Sequence, residues 1–84
     1  MVAITGELTD QLLGYVNDEV ASAPVELETD LLLTGAVDSI GVMRITQWME
    51  ETYGFDVEPI DVTLENFQTV ARMLAYLNKK VDQP

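Results

Sequence analysis

Cysteine and histidine are both missing from the 84 residues. Their absence excludes a disulfide, an iron–sulfur cluster, a typical zinc site and any Ser–His or Cys–His nucleophile pair, and with them most enzyme chemistry. Cations are scarce too: Arg44, Arg72, Lys79 and Lys80 stand against 15 Asp and Glu, giving a net charge of −11. Such a surface repels a phosphate backbone or an anionic bilayer, so nucleic acid and membranes are poor partners and basic patches on other proteins are the natural match. The plainer reading, a negative surface that only keeps a small protein dispersed, stands beside it. Long apolar runs are also absent, and Met1-Val2-Ala3-Ile4-Thr5-Gly6-Glu7 has no basic start. Neither a membrane span nor a secretory leader is expected; the expectation is a soluble, cytoplasmic monomer.

Apolar residues are plentiful at 48%, too many for intrinsic disorder despite the charge. The length leaves room for one core, so 1–84 is expected to be a single domain, ordered over about 5–80, with a frayed Asp82-Gln83-Pro84 tail. Ile4, Leu8, Leu12, Val16 and Val20 recur every four residues and draw one stripe on a helix over roughly 5–21, capped by Thr5 or Thr9 and ended by Pro24. From Pro24 to Asp38 no helical period persists, yet Leu27, Leu31, Leu32 and Leu33 imply a long connection lying against the core. Glu26, Glu28 and Asp30 alternate there without calcium-loop spacing and read as solvated acids.

A second helix starts at Asp38-Ser39 and ends before Gly54. At 100° per residue Val42, Ile45, Met49 and Tyr53 fall within about 80° of one another, with Thr52 among them, and form its core stripe. Ile40, Met43 and Gln47 then point away, as partner contacts or as the far edge of a wider stripe. Tyr53 to Asp61 reads as an extended connection packed by its apolar members rather than a strand. Thr63 caps a single turn at Leu64-Glu65-Asn66, and Thr69 caps a last helix whose inward face is Val70, Met73, Leu74, Leu77 and Val81. The fold class is all-α: a small four-helix bundle of three main helices and one short one, with a long loop between the first and second.

Function must then rest on a hydroxyl, a carboxylate or a surface, and Gly35-Ala36-Val37-Asp38-Ser39-Ile40 concentrates all three. Ser39 sits at a helix N-terminus, where free N–H groups and partial positive charge favour an attached phosphate. The pair Asp38-Ser39 also reads as an ordinary helix cap. A serine hydrolase fails, because Val37 stands where the nucleophile elbow needs glycine and no histidine takes the proton. Paired-carboxylate catalysis lacks an acid in an evident apolar cleft.

These residues resemble the acyl and peptidyl carrier proteins, whose motif is Asp-Ser-Leu at the start of the second of four helices. Asp38-Ser39-Ile40 matches it with Ile for Leu, and the order extends through Glu50-Glu51-Thr52-Tyr53-Gly54-Phe55 and Thr63-Leu64-Glu65-Asn66-Phe67. The resemblance implies that Ser39 carries 4′-phosphopantetheine from coenzyme A, installed by a phosphopantetheinyl transferase. The cofactor would supply the thiol that a chain without cysteine lacks. It further implies a non-catalytic carrier that holds an acyl, aryl or aminoacyl group as a thioester. Cargo would arrive from an adenylate-forming ligase or acyltransferase and pass to condensing or tailoring enzymes with basic docking surfaces. Ile40, Met43 and Arg44 are the candidate partner contacts beside Ser39 and its cap Asp38. Carriers of type II fatty acid synthesis commonly place acids early in this helix, where Gly41 and Arg44 stand here. The pattern looks more like free-standing carriers of natural-product pathways (nonribosomal peptide, polyketide or lipid). Rival readings are a cofactor-free acidic adaptor, which would need no serine at 39, and a metal buffer, which would need clustered carboxylates.

Fifteen acids with four cations make a self-repelling surface, so added salt is expected to raise the melting temperature. A thermal melt that is unchanged between low and physiological salt would refute unrelieved repulsion.

Overall fold

The computed structural model describes residues 6–81, and the expected contributions of Ile4, Thr5 and the 82–84 tail lie outside them. Four α-helices follow in order: α1 (Gly6–Tyr15), α2 (Ser39–Tyr53), α3 (Leu64–Phe67) and α4 (Val70–Val81). A π turn, Val16–Val20, extends α1, and a 3₁₀ turn, Pro59–Asp61, precedes α3. No strand occurs among the described residues, so this is the expected all-α four-helix bundle with its long first loop.

The stripe on α1 is as predicted at Leu8, Leu12 and Val16, all buried. Its regular helix stops earlier than expected, because the chain widens into the π turn, closed by Ala21 N–H donating to the Val16 carbonyl at 2.7 Å. Thr9 lies inside α1 and caps nothing at its start. Asn17 fastens the widened turn to the loop: its Oδ1 accepts from Val25 N–H at 2.8 Å and its Nδ2 donates to the Val25 carbonyl at 3.1 Å. The turn brings Val20 against the start of α2, where Gly41 is buried.

On α2, Val42, Ile45 and Met49 are buried as predicted and Tyr53 is half-buried. Thr52 departs from the expectation and is exposed. Trp48, at the edge of the stripe, closes the α1–α2 seam by stacking on Tyr15 with centroids 4.7 Å apart, while Tyr53 meets it edge-on at 5.7 Å. On α4, Val70, Met73, Leu74 and Leu77 point inward, and Tyr76 is buried with them. Complete burial of one such aliphatic side chain contributes roughly 1.5–3 kcal/mol, so these helices share one core.

The long loop is held by its own backbone. Leu31 is fully buried and its N–H donates to the Gln68 carbonyl at 2.9 Å, while the Leu27 carbonyl accepts from Ala71 N–H at 3.0 Å, satisfying an orphan donor of the first turn of α4. Asp30 accepts from Leu33 N–H at 2.8 Å and from Gln68 Nε2 at 2.6 Å, bonds that hold its carboxyl below the ordinary 3.8. Only part of the leucine run lies inward: Leu33 is 84% exposed. Glu26 and Glu28 are exposed, and no group of three or more acids among the described residues is placed to hold a metal ion. Gly35 turns the chain into α2 with φ of +79°, a conformation that disfavours other residues.

A Cβ at Gly41 would fall 2.8 Å from Val20 Cγ1 and 2.9 Å from Val37 Cγ1, whereas one at Gly14 would meet nothing within 4 Å. Gly41→Ala is therefore expected to lower stability by about 1–3 kcal/mol. Gly14→Ala is expected to raise it by about 0.4–1 kcal/mol, and thermal melts of the two variants check the contrast.

Candidate functional site

Extended backbone at Asp38 (φ −103°, ψ −175°) turns into helix at Ser39, and the Asp38 carboxylate accepts from Gly41 N–H at 2.8 Å. The cap reading of Asp38 is thus correct, and it leaves Ser39 as the first residue of α2, exposed at the positive end of the helix. Gly41 and Val42 turn inward behind it, so the helix phase is fixed on both sides of the serine.

Ile40 and Met43 are each 69% exposed, which removes the alternative that they belong to a wide core stripe. Beside them lies an apolar groove of about 400 Å³ lined by Leu32, Ser39, Val42, Met43, Val62, Thr63, Leu64 and Phe67. Its near wall is α2 and its far wall the stretch leading into α3, with Leu32 and Phe67 completing the lining. Thr63 holds that far wall helical by accepting from Asn66 N–H at 3.3 Å, the cap expected from sequence. Thr69 does the same for α4 through Arg72 N–H at 3.1 Å.

Ser39 and Met43 therefore share one groove with Ile40 at its border, but Arg44 does not join them. On the helical wheel it stands about 100° from Met43, toward α1. There it lines a smaller cleft of about 200 Å³ with Tyr15, Gln47, Trp48 and Glu51. On the opposite wall, sequence reasoning did not single out Ile60 or Val62. Ile60 (81% exposed), Val62 (43%) and Leu64 (59%) face outward around the groove, and their signal was the apolar run Ile60-Val62-Leu64 beside a cap, too short for a period.

An exposed hydroxyl at the positive end of a helix favours an attached phosphate, and the groove beside it offers apolar surface to an uncharged group. The family model for the phosphopantetheine attachment site matches residues 8–77. The chain belongs to the phosphopantetheine-binding carrier proteins. It is 38% identical over 76 residues to the D-alanyl carrier protein of Abiotrophia defectiva, an alignment covering 88% of this chain and 96% of that one. No solved structure gives a significant match. Carrier proteins bear covalently attached 4′-phosphopantetheine, whose thiol holds an acyl or aminoacyl group, and they work with a transferase and with ligases or acyltransferases. No helix among the described residues is long and apolar enough to cross a membrane.

The exposure pattern separates surface from core on α2. Ile40→Ala and Met43→Ala are expected to melt within about 0.5 kcal/mol of wild type. Ile45→Ala, which empties a fully buried site, should lose roughly 2–5 kcal/mol. Denaturant titration of the three variants checks the assignment.

Proposed function

We propose that Ser39 is the attachment point of the phosphopantetheine and that this carrier transports a small aminoacyl group, D-alanine in the first instance. The observation that carries the first part is the position of Ser39: exposed at the first residue of α2, capped by Asp38, on the groove, and inside the matched span. The relative named as a D-alanyl carrier protein supports the second part. The first turn of α2 carries no acid, which favours a free-standing carrier of a natural-product pathway over one of type II fatty acid synthesis.

In this reading the domain is a cytoplasmic monomer with no catalysis of its own. A phosphopantetheinyl transferase would join Ser39 Oγ to the phosphorus of the phosphopantetheine of coenzyme A, breaking the pyrophosphate bond so that adenosine 3′,5′-bisphosphate leaves and the hydroxyl proton is lost. An adenylate-forming ligase would then load the thiol from an acyl adenylate, with AMP as the leaving group. Long-range attraction between the −11 surface and basic docking surfaces brings partners in, and Ile40 and Met43 supply short-range apolar contact beside the arm. Arg44 contacts partners on the other flank of α2, next to Trp48. Asp38 keeps Ser39 at the helix start.

Intact-mass measurement after incubation with coenzyme A and a broad-specificity transferase should show one added phosphopantetheine. Ser39→Ala should show none while keeping its helical circular dichroism, since Asp38 still caps α2. Addition to Ser39→Ala would refute the attachment site. Met43→Ala, folded as wild type, is expected to be loaded more slowly by a D-alanine-activating ligase, with an interface loss of about 2 kcal/mol. Equal loading would place recognition elsewhere on the surface.

A further inference from the structure

The far wall of the groove has an unusual anchor. From Glu58 to Glu65 every residue is exposed except Asp61, so this stretch has no buried apolar side chain of its own to hold it. Its ends are fixed: Val57 N–H donates to Glu50 Oε2 at 2.8 Å on one side, and Phe67 is 1% exposed on the other. Between them most hydrogen bonds are internal, such as Asn66 Nδ2 to the Asp61 carbonyl at 2.9 Å and Thr63 N–H to the same oxygen at 3.0 Å. These shape the turn without attaching it to the bundle.

The Asp61 carboxylate makes that attachment. Tyr76, buried on α4, donates its hydroxyl to Asp61 Oδ2 at 3.0 Å, and Lys80 Nζ from the last turn of α4 lies 3.6 Å from the same oxygen. Lys80 also stands over the Tyr76 ring, 5.8 Å from its centroid, so the three side chains form one cluster. Burial and the Asp61 bond push the Tyr76 phenol well above its ordinary 10.0, so it stays protonated and able to donate. Among the described residues this is the one ion pair, and it lies where the chain would otherwise be free to swing.

The geometry points to Asp61 as a positioning residue, the tether that holds Val62, Thr63 and Leu64 as the far wall of the groove beside Ser39. The inference rests on the reading that Ser39 carries the phosphopantetheine. A wall held by a polar tether and exposed along its length can shift outward to admit an arm or a partner's side chain without emptying a packed cavity. The anchor of the groove's far wall is thus on α4, at Tyr76 and Lys80.

Hydrogen exchange read by mass spectrometry on the full chain tests the tether. In Asp61→Ala the amides of residues 62–68 should exchange at least about tenfold faster, while those of α1 and α2 keep their wild-type rates. Tyr76→Phe, which keeps the ring and removes the bond, should give a smaller rise in the same segment and guards against a variant that fails to fold. In transfer of phosphopantetheine from coenzyme A, the loss in Asp61→Ala should fall on KM rather than on kcat, because the wall is displaced and the hydroxyl is not. Wild-type exchange at 62–68, or a rise spread evenly over all helices, would overturn the tether. A wild type that takes up no phosphopantetheine would instead refute the attachment reading, which the mass alone reports.

Discussion

With no side chain at residue 41, the first turn of α2 lies against Val20 of the π turn and Val37 of the loop, at a separation that a methyl group would not tolerate. The outward face at the start of α2 depends on that approach. It sets the phase of α2, so that Val42, Ile45 and Met49 go inward and Ser39, Ile40 and Met43 go outward. It also explains why α1 ends in a wide turn: the π geometry, pinned by Asn17 to Val25, is what brings Val20 to the glycine. The serine is presented by packing behind it rather than by any bond to its own side chain.

Much of this was legible before the coordinates. Helical period alone separated Ile45 from Ile40, because a helix against a core has one inward face and the two residues are 140° apart around it. Caps were readable for the same local reason: Asp38, Thr63 and Thr69 each precede a helix and each accepts from its first turn. The π turn was not legible, since one extra residue in a turn leaves the four-residue spacing of Val16 and Val20 unchanged. Nor were Leu33 and the Asp61 tether. The exposure of Leu33 and the bonds of Asp61 to Tyr76 and Lys80 depend on how distant segments meet, which nothing in local pattern reports. Thr52 failed because a wheel assigns an angle, and at the far end of α2 the neighbouring chain no longer covers that angle.

Charge is arranged as unevenly as it is counted. Three of the four cations lie on α4, where Lys80 serves the fold, while Arg44 stands alone on α2 among aromatic and polar neighbours. The first turn of α2, which begins at Ser39, carries no acid of its own.

Trp48 is the sole tryptophan, stacked on Tyr15 and met edge-on by Tyr53 at the α1–α2 seam, away from the groove. Its intrinsic fluorescence is thus a built-in optical probe that reports whether those two helices stay together. Trp48 is not among the residues that line the groove beside Ser39.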